Sequence, residues 1–140
     1  MGLSIRNQMA GTVVSVTPGD VMAVVKVRLT GGQDITAAIT AEAVRDLGIA
    51  DGTAVQALMK STEVALATGP VPGVSIRNQI PGTITGITAG SAMAGVKVDV
   101  EGGATLTAAV THDAVADLGL AVGSSVVALI KSTEVSLATA

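Results

Sequence analysis

Two short polar runs hold the side chains most capable of chemistry: Ser4-Ile5-Arg6-Asn7-Gln8 and Lys60-Ser61-Thr62-Glu63. Ser, Arg, Asn, Gln, Lys and Thr have one property in common, which is that each donates hydrogen bonds. Arg6 and Lys60 add positive charge to a chain whose formal net charge is −3. Hydroxyls, backbone N–H groups and one or two cations together suit a tetrahedral oxyanion, which accepts hydrogen bonds on all sides. A plainer reading stands beside this one: Arg6 and Lys60 pair with Glu63 and Asp46 on a solvated surface, and Asn7 and Gln8 hold a turn. Neither reading is catalytic. His112 is the single histidine, so a Ser/His/Asp set is not expected. Gly31-Gly32 lacks the Lys-Ser/Thr that completes a phosphate loop.

Both runs occur twice. Ser75-Ile76-Arg77-Asn78-Gln79 and Lys131-Ser132-Thr133-Glu134 repeat them, and one offset also aligns Gly31-Gly32 with Gly102-Gly103 and Leu47-Gly48 with Leu118-Gly119. More than half of the aligned positions are identical, which marks an internal repeat. The expected division is a module over 1–68, a Pro- and Gly-rich linker over 69–73, and a second module over 74–140. Arg6/Arg77, Lys26/Lys97, Lys60/Lys131 and Glu63/Glu134 match, whereas Arg28/Asp99, Arg45/Ala116 and Asp20/Ser91 have drifted as solvated positions do. Ala41 stands where His112 stands, which argues against a catalytic histidine.

The elements that must position these runs are mostly strands. Gly11 to Thr17 is β-branched and ends at Pro18-Gly19, and Gly11 is read as marking a bulge. Met22 to Thr30 alternates Val24, Lys26, Arg28 against Val25, Val27, Leu29, which predicts one buried face. Lys26 and Lys97 are read as solvent-facing lysines that guard an edge, and Met22 and Met93 as packing residues. Gly31-Gly32 turns the chain into a third strand, Gln33 to Ile39. Thr40 then caps a short helix with Ala43, Val44 and Leu47 on one face and Gly48 at its end, and Thr111 and Gly119 repeat this. Thr53 to Met59 and Thr62 to Ala67 are the last two strands, with the Lys60-Ser61 break between them. The expected class is all-β with one short helix per module, arranged as two tandem OB-like five-stranded β-barrels.

Composition narrows the function. Hydrophobic residues make up 49% and charged residues 14%, too apolar for disorder. Each apolar run is interrupted well before a spanning length, so no membrane association is expected. The start Met1-Gly2-Leu3 has no basic-then-apolar leader, and Arg6 stands where a myristoylation signal needs Ser or Thr. With no cysteine and one histidine, neither disulfides nor the usual metal-ligand sets are expected. Phe, Tyr and Trp are absent and the net charge is negative, which disfavours nucleic acid. A module this small without aromatic residues buries little surface, so association of modules and of chains is expected.

At Ser-Ile-Arg-Asn-Gln, Gly-Thr-Val and Lys-Ser-Thr-Glu-Val the sequence resembles the Mop domain of the molbindin family, twice over and across nearly the whole chain. The resemblance implies an OB-like fold and binding of molybdate, with tungstate as its mimic, at interfaces between modules. It implies that the first run of one module meets the Lys-Ser run of another. Carried onto this chain, it names Ser4, Ile5, Arg6, Lys60 and Ser61 with Ser75, Ile76, Arg77, Lys131 and Ser132, the isoleucines through their backbone N–H groups. Asn7, Gln8, Asn78 and Gln79 are further candidates, and so are Thr40 and Thr111, whose capping role already explains them. It also implies a cytoplasmic homotrimer of two-module chains. With neither a helix-turn-helix nor an ATPase domain expected in this length, storage and homeostasis are favoured over transcription control and transport. A purely structural oligomerisation module and an OB-type nucleic-acid binder are the rival readings.

Overall fold

The computed structural model describes residues 2–139. Met1 and Ala140, the outermost residues of the two expected modules, lie outside them, as does the first residue of the leader reading. The first copy comprises β1 (Asn7–Thr17), β2 (Met22–Leu29), β3 (Asp34–Thr40), α1 (Ala41–Leu47), β4 (Ala54–Met59), a 3-10 turn (Ser61–Glu63) and β5 (Ala65–Ala67). The second repeats it as β6 (Asn78–Ala89), β7 (Met93–Val100), β8 (Thr105–Thr111), α2 (His112–Asp117), β9 (Ser125–Ile130), a 3-10 turn (Ser132–Glu134) and β10 (Ser136–Ala138). The fold is mostly β, two five-stranded antiparallel sheets with one helix each, as expected.

The two five-stranded sheets also exchange strands. One sheet runs β10-β4-β1-β2-β3 and the other β5-β9-β6-β7-β8. Each copy therefore gives its last strand to the other: Leu66 pairs with Ala128, and Leu137 with Ala57. A 3-10 turn after β4 redirects the chain toward the other copy. Glu63 N–H donates to Lys60 C=O at 2.9 Å, turning the chain so that Val64 is buried and the turn packs on β8. Its counterpart packs on β3. A pattern of three residues cannot announce which sheet it will join, because the choice is made by non-local packing.

The core is one continuous cluster drawn from both copies and built from Ile, Val, Leu, Met and Ala. Val25, Val27 and Leu29 face it while Val24, Lys26 and Arg28 face out, as the alternation predicts. Five local expectations need correcting. The first strand begins at Asn7, not Gly11, because the alternation continues through buried Asn7 and Met9. The register shift in β1 lies between Val13 and Ser15; Gly11 instead allows close approach, since a Cβ there would lie 2.7 Å from the Arg28 carbonyl oxygen. Lys26 and Lys97 guard no edge, because β2 and β7 are flanked on both sides. Met22 and Met93 are exposed rather than packed, at the outer ends of their strands, and Leu47 is exposed on α1. The helix caps stand as expected: the Thr40 hydroxyl accepts from Ala43 N–H at 3.0 Å, and Gly48 has φ 63°.

A pseudo-twofold relation joins the halves through two buried amides. Asn7 Nδ2 donates to Thr107 C=O at 2.9 Å and its Oδ1 accepts from Thr107 N–H at 2.8 Å. Asn78 makes the same pair of bonds to Thr36, at 2.8 and 2.7 Å. The hairpin tips also meet: a Cβ on Gly31 would lie 2.8 Å from the Glu101 carbonyl oxygen, and Gln33 Nε2 donates to that same oxygen.

Candidate functional site

Pairing of β1 with β4 creates the site. Asn7 lies opposite Met59, so the residues just before β1 meet those just after β4. Ser4, Ile5, Arg6, Lys60, Ser61 and Thr62 line one open cavity of about 280 Å³. In the second copy Asn78 lies opposite Ile130, which brings Arg77 beside Lys131 in the same way. Within the chain, then, the two runs that meet in this cavity belong to the same copy. A second cavity, about 300 Å³, lies at the seam between copies. There Thr62 and Glu63 of the first turn face Ile76 and Lys131 of the second copy, with Glu134 on the same wall.

The site is rich in donors. The Oγ atoms of Ser61 and Ser132 are both buried without a hydrogen-bond partner among the described residues. A buried hydroxyl left unpaired costs about 1–3 kcal/mol, so its repetition at equivalent positions leaves two donors for an acceptor from outside the chain. Among the described residues, the backbone N–H groups of Ile5, Arg6, Ile76 and Arg77 also donate to no protein acceptor. Lys60 and Lys131 are exposed and in no ion pair; the ion pair found among the described residues is Arg28–Asp34, on the outer face of β2 and β3. There the Arg28 hydrogen bond holds the Asp34 carboxyl below its ordinary pKa, and neither residue lines the donor cavity. The surface pairing of Arg6 and Lys60 with Glu63 and Asp46 is therefore not what the fold uses.

The arginines serve as braces. Arg6 Nε donates to Ser4 C=O at 3.3 Å and its Nη2 to Leu3 C=O at 2.9 Å; Arg77 Nη2 donates to Val74 C=O at 3.1 Å. They shape the loop, while Lys60 and Lys131 make no side-chain hydrogen bond or ion pair among the described residues. Of the further candidates, Asn7 and Asn78 have oxygen and nitrogen both engaged across the copies, and Thr40 and Thr111 accept helix N–H groups. Gln8 Nε2 donates to Ile5 C=O at 3.0 Å, under the loop rather than into the cavity. Thr62 lines the cavity although it is not among the expected ligands; its place in the repeated Lys-Ser-Thr-Glu run is the signal that points to it. Among the described residues no group of three or more His, Cys, Asp or Glu could hold a metal ion, and no helix is long and apolar enough to cross a membrane.

The TOBE domain model matches residues 3–66 and 74–137. The molybdenum-pterin-binding protein MopB of Rhodobacter capsulatus is 42% identical over 136 residues, 96% of this chain and 50% of that protein. The molybdenum transport protein ModE of Herbaspirillum seropedicae is 37% identical over 139 residues, 99% of this chain and 52% of that protein. The chain thus spans about half the length of these curated relatives. Among solved structures, the cytoplasmic molybdate-binding protein ModG with molybdate bound superposes with a TM-score of 0.97 at 38% identity, covering 100% of both chains.

Proposed function

The chain belongs to the TOBE-domain family in the two-copy form that ModG also has, and from that premise we propose that it binds molybdate. The observation that carries the reading is the pair of buried, unpartnered Ser61 and Ser132 hydroxyls beside Lys60 and Lys131. Molybdate is a tetrahedral dianion that needs donors and positive charge, which these runs provide without any direct metal ligand. Tungstate has the same shape and charge and binds as a mimic. A bare oxyanion is favoured over a molybdenum-pterin, because the chain has no Phe, Tyr or Trp to stack on a pterin ring.

The expected ligand set is Ser4, Ile5, Arg6, Lys60 and Ser61, with Ser75, Ile76, Arg77, Lys131 and Ser132. Both cavities are open, and a neighbouring chain supplies the remaining wall in a homotrimer. The biological role we favour is cytoplasmic storage and homeostasis of molybdenum. Relatives named ModE are a transport protein in Herbaspirillum seropedicae and a transcriptional regulator in Yersinia pestis, and a longer protein of that kind would use the same pair of copies as its sensing part.

Calorimetry with molybdate tests the binding directly, and no heat together with no thermal stabilisation would sink it. Lys60→Ala combined with Lys131→Ala is expected to weaken binding at least tenfold, since charged hydrogen bonds contribute about 1.5–3 kcal/mol each. The oligomer should survive that change by light scattering. A gel shift with single-stranded oligonucleotide at low salt separates the nucleic-acid reading, and no shift is expected.

A further inference from the structure

In each polar run the buried residue is the one whose side chain bonds across to the other copy. Asn7 and Asn78 are 1% and 3% exposed, and each engages its whole amide with one opposite residue, Asn7 with Thr107 and Asn78 with Thr36. Their neighbours bond nearby in the chain instead: Gln8 Nε2 donates to Ile5 C=O, and Gln79 bonds to the N–H and C=O of Val71. Thr107 and Thr36 lie on β8 and β3, each at an edge of its sheet. An edge strand has backbone groups with no neighbouring strand, and a carboxamide, donor and acceptor side by side, takes that neighbour's place. The amides also stand at the base of the donor loops. Asn7 lies opposite Met59, so Arg6 and Lys60 are the next residues out from that pair. Asn78 lies opposite Ile130, with Arg77 and Lys131 next. On the receiving strand, Thr107 is two residues from Ala109, which with Val110 walls the seam cavity that Ile76 and Lys131 also line. Neither asparagine lines either donor cavity.

We propose that Asn7 and Asn78 are positioning residues for the anion: each moors the donor loop of its own copy to the edge strand of the other copy. The mooring sets where the loop N–H groups and the lysine stand before the ligand arrives. The proposal rests on the oxyanion reading above. Its physical basis is that a donor fixed beforehand loses little further freedom on binding, so releasing the amide lowers affinity although the amide never touches the anion. The bonds are 2.9 and 2.8 Å from Asn7 and 2.8 and 2.7 Å from Asn78, so the two copies are moored alike. The same effect is expected at both.

The test uses the full chain, molybdate as the probe, and a group that makes the same two bonds only when protonated. In Asn7→Asp with Asn78→Asp, a neutral carboxyl donates to the threonine C=O and accepts from its N–H, whereas a carboxylate only accepts. Burial raises the pKa of such a carboxyl, so calorimetry is run at about pH 6 and about pH 8.5. Relative to the unaltered protein at each pH, the variant should bind nearly normally at the lower value and about tenfold more weakly at the higher. Asn7→Leu with Asn78→Leu brings no charge and should bind weakly at both, which separates lost mooring from repulsion by a carboxylate. By linkage, a mooring that favours the anion is favoured by it, so molybdate should slow solvent exchange of the Asn7 and Asn78 side-chain amides in the unaltered protein. If a variant is unfolded by circular dichroism, that exchange decides. Normal binding by the leucine variant, a carboxyl variant no better at the lower pH, or exchange unchanged by molybdate would each overturn the proposal. No molybdate binding by the unaltered protein would instead overturn the oxyanion reading, and the proposal with it.

Discussion

The hydroxyls of Ser61 and Ser132 sit where an unused donor is expensive, and that makes them a sharp test of purpose. If they serve only the fold, Ser61→Ala with Ser132→Ala should cost stability. If they serve a ligand, the unliganded protein should keep its stability or gain up to about 1 kcal/mol, while molybdate binding falls about tenfold or more. Urea unfolding and calorimetry on the same samples decide between these. At this scale much is legible in the chain. Seryl, lysyl and arginyl positions kept in both copies stand out because nothing in a β-core needs them. Asn7 is harder to read, for a traceable reason: among its polar neighbours it looks like a turn residue, whereas its spacing of two from buried Met9 places it on the inner face. An inward amide must bond to something, and here it bonds to Thr107 of the other copy.

The long first strand of each copy has to curve between two partners. β1 pairs with β4 over Asn7 to Thr12 and with β2 over Gly11 to Thr17, so the bend falls where Gly11 faces both. A Cβ at Gly11 or at Gly82 would lie 2.7 or 2.6 Å from backbone oxygen, which cannot move cheaply. Gly11→Ala and Gly82→Ala should each destabilise by about 1–3 kcal/mol. Gly95 in β7 has no atom within 4 Å of such a Cβ, and Gly95→Ala should stabilise by about 0.5–1 kcal/mol. Thermal unfolding of the three variants checks the contrast. The strands, the hairpin and the helix caps can be read from the chain because their signals are local: alternation, Gly-Gly, and Thr before an acidic turn. β5 and β10 can be seen only as strands, since three residues carry no record of the sheet they enter.

Exchange of the last strands makes the two copies one folding unit. Leu137 and Val64 complete a core that draws on both halves. A polypeptide of residues 74–140 alone should therefore not fold as a monomer. It should form a dimer that exchanges strands between chains, with circular dichroism that weakens on dilution; a folded, concentration-independent monomer by ultracentrifugation would contradict this.

The exchange also determines how short the link between copies is. β5 lies beside β9, and β9 beside β6, so the linker has only one strand to cross. The other sheet has the same order, β10 beside β4 and β4 beside β1. In topological terms the chain is a ring with one bond missing. A circular permutant that joins residue 139 to residue 3 through a copy of residues 69–73, and opens at the natural linker, should fold to the same two sheets. It would then carry the Val71–Gln79 contact on the opposite copy, between the transplanted valine and Gln8.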